Sequence, residues 1–598
     1  MANYIDAVQM AKECMEKIHL TIHREQKDMI RPMFEALQKK GVIFVGQGPP
    51  GMGKTYVIAA VTKALVAQGK RVCIAVPSYT HLKDVMGKHL NDFEIDYSRL
   101  RGLSALEPDE GCPLLRGVVP TPLFCSDSEE AETGPESIRC KDIDCTVKRE
   151  MRESLKANVV LTVFHKLAYK PSLMNNFDII IFDESHGLES VVRNARIIKI
   201  RSEDLDYLLP LAQDYQDTID KVKASLSRLI GREKAEVLSS FVEREILEPL
   251  KGVLPPLEKK IREMEQQGNS PNESFINAYY YIQKAVNCLG TVEQYRFVYH
   301  NNSILGIPSS IKFNPFQSKK GESQCAIALI SATIENPKFH AIDSGFPNYT
   351  LAAPVQIDSE RLMEIRYKKR PIFGLIDGPL LRRDLGDMET YSYARELANQ
   401  IIGTILPSFI YPTLILCRNK DDARSIKSHI DEIENVRDRL YLFEEEDTVR
   451  ELYSIETELN EQIEEGKNII VTTAASRLWE GVNLKVLRYL IIDALPYPSP
   501  QPYEKYERGF GSWRTSRTFR FMIRRLQQGI GRLVRTDKDP WGIVVVIDGR
   551  FNAQWNTIKS VLPRYLTDPE IVKFVTKDRL KDELEQATYK LERESKSN

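Results

Sequence analysis

No apolar run in this 598-residue chain approaches the ~20 residues that a membrane-spanning helix needs, so a helical membrane protein is excluded. An export signal is also missing. Met1 to Lys17 mixes acids with bases and has no signal-peptide apolar region, so the expected location is cytoplasmic. Excess charge is absent too. Eighty-three Lys and Arg face 84 Asp and Glu, for a net charge of −1, so any nucleic-acid binding must come from local basic patches. Cysteines are few and odd in number, nine in all; without an export signal they do not form a disulfide framework. Short-period repeats and low-complexity tracts are lacking. The remainder, 42% apolar and 28% charged, is ordinary globular composition, and the length suffices for several domains with cores of their own.

Against this background one stretch is diagnostic: Gly48-Pro-Pro-Gly51-Met-Gly53-Lys54-Thr55 fits G-x-x-x-x-G-K-[ST] without a mismatch. It follows the apolar run Val42–Val45 and opens a helical pattern, Tyr56 to Gln68. Strand, glycine loop and helix together make a phosphate site. The glycines let backbone N–H groups face a pyrophosphate, Lys54 supplies charge to the β- and γ-phosphates, and the Thr55 hydroxyl can hold Mg²⁺. The helix N-terminus adds a favourable dipole. A nucleoside triphosphate is the expected ligand.

β-Rich apolar runs alternate with helical patterns. Val42–Val45, Val72–Val76, Val159–Phe164, Ile179–Phe182 and Ala326–Ile330 read as strands of one buried parallel sheet. Thr413–Leu416, Asn468–Thr472, Tyr489–Ile492 and Ile543–Ile547 read as a second. Two such sheets imply two α/β domains. Two segments interrupt the first. Residues 100–155 are rich in Pro, Gly, Cys and acids; residues 195–322 read as mostly helical, with helices at Asp217–Leu229, Glu233–Glu248 and Phe275–Leu289 and breaks at Pro255-Pro256 and Gly268–Pro271. Lys577–Asn598 reads as a solvated charged helix.

Ile179-Ile-Ile-Phe-Asp183-Glu184-Ser185-His186 is an apolar strand ending in two acids. Downstream of a phosphate loop, Asp183 would hold Mg²⁺ and Glu184 would polarise the attacking water. Later comes Gln528-Gly-Ile-Gly-Arg532-Leu-Val-Arg535, whose Gln528, Arg532 and Arg535 share one helical face at i, i+4 and i+7. Arginines so presented can neutralise charge developing on a γ-phosphate, and they belong to the second sheet, so the nucleotide would lie between domains. A solvated basic helix is the other reading of that pattern.

These three motifs stand in the order and spacing of superfamily 2 helicases, and the chain resembles most the XPD/DinG-like iron–sulfur DNA helicases, over residues ~20–555. Gln26 is similar to the adenine-reading glutamine of that family, and Ser331-Ala-Thr333 to its coupling motif. Arg477-Leu-Trp-Glu480-Gly481-Val-Asn483 and Ala494-Leu-Pro-Tyr-Pro498 resemble its later motifs. Glu480 and Gly481 thereby join the nucleotide site. His186 matches the family's histidine and is expected to couple to the other domain. Ser185 departs from the family, which usually has Ala there. The resemblance implies two RecA-like P-loop parallel-sheet domains, an iron–sulfur insertion and a helical Arch-like insertion. In numbers, the first helicase domain takes 1–99, 156–194 and 323–350, the iron–sulfur insertion 100–155, the Arch-like domain 195–322 and the second helicase domain 351–598.

Cys112, Cys125, Cys140 and Cys145 cluster in polar sequence, unlike Cys73, Cys325 and Cys417, which sit in apolar runs and read as small buried hydrophobes. In XPD-like enzymes this insertion holds a 4Fe–4S cluster, and four thiolates are its usual complement. Their spacing, C-x12-C-x14-C-x4-C, lacks the close pair often seen in XPD, and the same set also suits tetrahedral zinc. For DNA, Arg508 to Arg535 offers eight arginines, no acids, and Phe510, Trp513, Phe519 and Phe521 interleaved. Arginine binds phosphate and aromatic rings stack on unpaired bases, although some of these rings must be core. Tyr79 and Thr80 occupy a family DNA-contact position, and Tyr279-Tyr-Tyr281 in the Arch-like region stacks bases or packs in a core.

The function expected is an ATP- and Mg²⁺-dependent DNA helicase, a monomer on single-stranded and forked duplex DNA, with 5′→3′ travel and work in DNA repair or related DNA metabolism implied by the resemblance. Repair or transcription proteins are the partners it implies; a membrane is not among them. Two alternatives stand beside it: a DNA-dependent ATPase that remodels protein–DNA complexes, and a nucleotide-controlled DNA-binding subunit of a larger assembly. A nuclease is disfavoured, since no acidic nuclease domain precedes the phosphate loop.

Overall fold

The computed structural model describes residues 7–49, 52–79, 81–101, 146–229, 236–266, 273–300, 302–308, 313, 325–334, 336–357, 369–381, 388–444, 452–473, 486–498, 517–531, 533, 541–562 and 566–597. Two parallel sheets dominate. In the first, the strands run in the order Thr350–Leu351, Val42–Gln47, Ala326–Ser331, Ile179–Asp183, Val72–Val76, Val159–Val163 and Ser98–Leu100, with Val355–Gln356 also paired to Val42–Gln47. The inner strands are β-branched and buried on both faces, as a parallel sheet covered by helices requires. The second sheet runs Leu440–Leu442, Ile469–Thr473, Thr413–Cys417, Tyr489–Ile492, Ile543–Val546, Ile372–Leu375 and Val572–Val575, again all parallel. Each of the nine runs read as strands forms one.

Register decides what the first sheet can do. Gln47 lies opposite Ser331, and Ile330 opposite Asp183, so three strands reach the same edge together. Strand Val72–Val76 pairs on the far side of Ile179–Asp183, with Ala75 opposite Phe182. The chain leaving it passes over Asp183. Ligands of open α/β sheets gather at such carboxyl ends.

The region 195–322, expected to be mostly helical, also contains a sheet. Strands Ile198–Arg201, Ser303–Pro308, Tyr295–His300 and Glu236–Val237 form a four-stranded antiparallel sheet. Its own apolar core is shared with helices Gln216–Ser227, Glu248–Gln266 and Glu273–Val286. The expected helix Glu233–Glu248 is broken, because Glu236–Val237 is a strand. The expected break at Pro255-Pro256 is instead helix interior. Leu250, Val253, Leu254, Leu257 and Ile261 are buried around those prolines, and tertiary burial outweighs the lost backbone bonds. Tyr279 is core.

Helix Lys577–Ser597 is likewise more than a solvated face. Leu580, Leu584 and Leu591 are buried against the second domain, and Tyr411 Oη donates to Glu592 Oε1 at 2.8 Å. Replacing Leu584 by Ala should therefore cost about 2–5 kcal/mol in denaturant unfolding. Lys590→Ala, on the exposed side, should leave the midpoint unchanged. Equal effects would return the helix to the surface.

Candidate functional site

Lys54 is the first residue of helix Lys54–Ala67, and Gly53 before it adopts φ 81°. Only glycine suits that position. A Cβ there would lie 2.6 Å from Gln26 Nε2, besides being strained by the left-handed backbone. The buried Gln26 carboxamide is engaged at both ends: Nε2 donates to Met52 O at 3.1 Å, and Oε1 accepts the His23 N–H at 2.9 Å. Gln26 thus braces the phosphate loop against its own helix, Arg24–Leu37.

Across the sheet edge, Glu184 Oε1 stands 3.6 Å from Lys54 Nζ, and Glu184 Oε2 stands 3.3 Å from His186 Nδ1. Burial alone would raise the Glu184 carboxyl; Lys54, then His186 and His81, hold it far below the usual carboxylate range. It is ionised, as a group that polarises water must be. Its backbone φ is 49°, a left-handed conformation in a residue with a side chain. Such strain costs about 1–3 kcal/mol and persists only where the surroundings impose it. Asp183 is buried; its Oδ1 accepts the Glu184 N–H at 3.0 Å and its Oδ2 lies 3.1 Å from His81 Nε2. Burial opposes the charged form of His81, but Asp183, with Glu184, raises its imidazole above the ordinary value.

Ser331 ties these parts together. Its carbonyl accepts the Gly48 N–H at 3.2 Å, and its Oγ accepts the Thr333 N–H at 3.3 Å and lies 3.0 Å from His186 Nδ1. The other ring nitrogen, His186 Nε2, is 2.7 Å from Gln528 Nε2 of the second domain. The Gln528 amide donates, so Nε2 accepts and the ring proton sits on Nδ1, facing Ser331 and Glu184.

Gln528 belongs to helix Arg517–Ile530, and two residues on the same face also cross between domains at intervals of four. Arg524 Nη1 lies 3.3 Å from Glu189 Oε2 and donates to His186 O at 3.3 Å. Arg520 Nη2 lies 2.8 Å from Asp343 Oδ2. Burial, with the charge of Glu189, pushes the Asp343 carboxyl up to about 6, against the opposing pull of Arg520, Arg524 and Arg193. The expectation that Arg508–Arg535 serves DNA therefore fails for Arg520 and Arg524, because guanidinium groups taken out of water need carboxylates. Phe519 is core, and Phe521 stacks under Arg525 at 4.6 Å.

Of the residues singled out in the sequence, Lys54, Asp183, Glu184 and Gln528 converge, with Gln26, Gly48 and Gly53 around the loop and Thr55 in the first turn of its helix. Gly51, Glu480, Gly481, Arg532, Arg535, Thr80 and the cysteines Cys112, Cys125, Cys140 and Cys145 lie outside the described residues. Among the described residues no group of three or more His, Cys, Asp or Glu could hold a metal ion, and no helix is long and apolar enough to cross a membrane.

Residues 412–568 match the family described as Helicase C-terminal domain, and residues 19–209 match the family described as Type III restriction enzyme, res subunit. A probable ATP-dependent helicase of Methanocaldococcus jannaschii is 24% identical over 89% of this chain and 92% of its own length. Among solved structures, an XPD helicase superimposes with TM-score 0.62 at 15% identity, covering 93% of this chain and 100% of that one. Xpd4 of S. tokodaii superimposes with TM-score 0.57 at 15% identity and the same coverage. The chain is similar in sequence to an ATP-dependent helicase, carries a helicase C-terminal domain, and has the XPD fold.

The helicase hydrolyses ATP, and the site explains how its two halves take part. Sequence reasoning missed His81, Glu189, His340 and Asp343. A histidine five residues past a strand was visible, but only the sheet order places it against Asp183. Gln528→Ala removes the donor to His186 without touching the phosphate loop. Steady-state kinetics should show kcat falling about tenfold and KM for ATP changing by less than about threefold. A raised KM at unchanged kcat would assign Gln528 to nucleotide binding instead.

Proposed function

We propose that this helicase travels along single-stranded DNA in the 5′→3′ direction and opens forked duplex DNA, as a cytoplasmic monomer in DNA repair or related DNA metabolism, alongside repair or transcription proteins. The observation that carries the reading is the Gln528–His186 contact: a residue of the second domain bonds the side chain that also faces Glu184. Hydrolysis at Glu184 and separation of the domains are then mechanically linked. DNA as the track rests on the sequence resemblance.

In this reading Lys54 binds the β- and γ-phosphates, and Glu184 orients and polarises water for attack on the γ-phosphorus. Thr55 and Asp183, both hard oxygen donors, suit Mg²⁺, which would neutralise phosphate charge. Arg532 and Arg535 stabilise charge in the transition state. Gln26, already seated against the phosphate loop, reads adenine, and Glu480 and Gly481 relay the strand's position to the nucleotide. We assign 100–155 to an iron–sulfur insertion and 195–322 to an Arch-like domain. Cys112, Cys125, Cys140 and Cys145 are the ligands of a 4Fe–4S cluster, and four thiolates fit it. The base of their segment is closed where Arg101 Nη2 meets Glu150 Oε1 at 2.7 Å. A cluster there would contribute folding energy to the segment, as metal does in small domains.

The deciding experiment compares ATP-driven opening of a duplex with a 5′ tail against one with a 3′ tail. Preference for the 5′ tail supports the reading, and preference for the 3′ tail removes the polarity. Hydrolysis with neither opened would favour a remodelling ATPase. For the cluster, Cys145→Ser should lose more than about half of the bound iron by metal analysis. Iron at full stoichiometry in that variant would exclude Cys145 as a ligand.

A further inference from the structure

The turn that carries Glu184 is held by a bond that alanine, usual in the family at position 185, cannot make. Ser185 Oγ is 2.9 Å from His340 Nε2, and both residues are buried. Ser185 directly follows the left-handed Glu184 and opens the short turn Ser185–Gly187. Two backbone N–H groups also bond within this turn, Glu184 N–H to the Asp183 side-chain Oδ1 at 3.0 Å and Gly187 N–H to Glu184 O at 3.3 Å, but both bonds are local. The Ser185 hydroxyl ties it to another element.

That element is helix Pro337–Asp343, capped at its start by Asn336, whose side chain accepts the Lys338 and Phe339 N–H groups. It begins shortly after the Ser331–Thr333 loop. His340 and Asp343 are three residues apart, hence on one face. Asp343 pairs with Arg520 of the second domain at 2.8 Å. The path from Glu184 runs through the backbone to Ser185, across one hydrogen bond to His340, along less than one turn to Asp343, and across the domain boundary to Arg520. The Ser185 hydroxyl is uncharged, and burial, with Arg524 nearby, lowers the His340 imidazole well below its ordinary value, so the link is a hydrogen bond between neutral groups.

We propose that Ser185 and His340 form a positioning pair that sets the Glu184 carboxylate in register with the second domain. The pair runs parallel to the His186–Gln528 contact and acts on hydrolysis, not on nucleotide affinity. Both residues are buried and work through Glu184.

The test uses the full-length enzyme and four variants, Ser185→Ala, His340→Ala, His340→Gln and the double variant Ser185→Ala/His340→Ala. ATP turnover is measured with and without single-stranded DNA, together with affinity for a fluorescent ATP analogue. Ser185→Ala should lower kcat about five- to tenfold, the worth of one buried hydrogen bond, with KM and analogue affinity within about twofold of wild type. His340→Gln, which keeps a side-chain nitrogen near the Nε2 position, should recover most of what His340→Ala loses. The double variant should be no slower than the slower single one. Wild-type kcat in Ser185→Ala, multiplicative losses in the double variant, or no rescue by Gln would each overturn the pair. If His340→Ala fails to fold, Ser185→Ala decides alone, because it removes one oxygen atom. The comparison without DNA keeps this result separate from the proposed substrate: a wild-type enzyme unmoved by DNA would count against the track and leave the pair to be judged on basal turnover.

Discussion

A carboxylate held beside a buried lysine constrains everything around it. Glu184 and Lys54 lie 3.6 Å apart at the end of the first sheet, the lysine buried and the carboxylate half-buried. Taking two charges out of water costs several kcal/mol per ion, and their attraction offsets this only if further bonds satisfy the remaining lone pairs. His186 supplies one for Glu184, and the left-handed backbone at Glu184 accompanies a carboxylate that faces both Lys54 and His186. A γ-phosphate that takes Lys54 leaves Glu184 with His186 and a water molecule. The resting pair therefore stores the arrangement that hydrolysis needs.

His186 has only two ring nitrogens, and this fixes the second domain's part. One faces Glu184 and Ser331; the other is left for Gln528. Arg524 and Arg520 extend the same helical face onto Glu189 and Asp343. Buried ion pairs of this kind add little net stability, yet each becomes costly when one partner departs. The boundary between domains thus favours two states, fully paired or fully hydrated, over intermediate ones. A motor needs such a boundary, and the proposed cycle would switch it through the nucleotide.

The sequence made the strands, the phosphate loop and the two acids legible because each is a local pattern of apolar residues, glycines or charge. What it hid depends on contacts remote in the chain. Arg524 and Glu189 are 335 residues apart, so the same arginines that suggest a DNA surface serve a domain boundary instead. His81 carries no spacing signal until the sheet order sets it against Asp183. Short edge strands such as Ser98–Leu100 and Glu236–Val237 lack the length that distinguishes a strand from a loop. Pro255-Pro256 misleads because a propensity rule is local while the burial of Leu254 and Leu257 is not.

The third sheet is joined to the ATP site more directly than its place in the chain suggests. Helix Leu188–Arg196 starts two residues after His186 and carries Glu189 and Arg193 at the domain boundary. Its far end is gripped by the third sheet's own domain: Lys284 Nζ donates to Ile197 O at 2.8 Å and to Asn194 O at 3.3 Å. A cation at a helix C-terminus is favoured by the helix dipole. Burial, with Arg196 adding to it, nonetheless lowers the Lys284 ammonium to about 8. Strand Ile198–Arg201 continues without a loop into the antiparallel sheet. One nine-residue helix thus runs from the residue that senses Gln528 to the clamp on the third domain. Any shift of the boundary that moves Glu189 must move that clamp as well, since a helix this short is stiff along its axis. If the third domain encloses a strand, this helix is the lever by which the ATP site would open and close it.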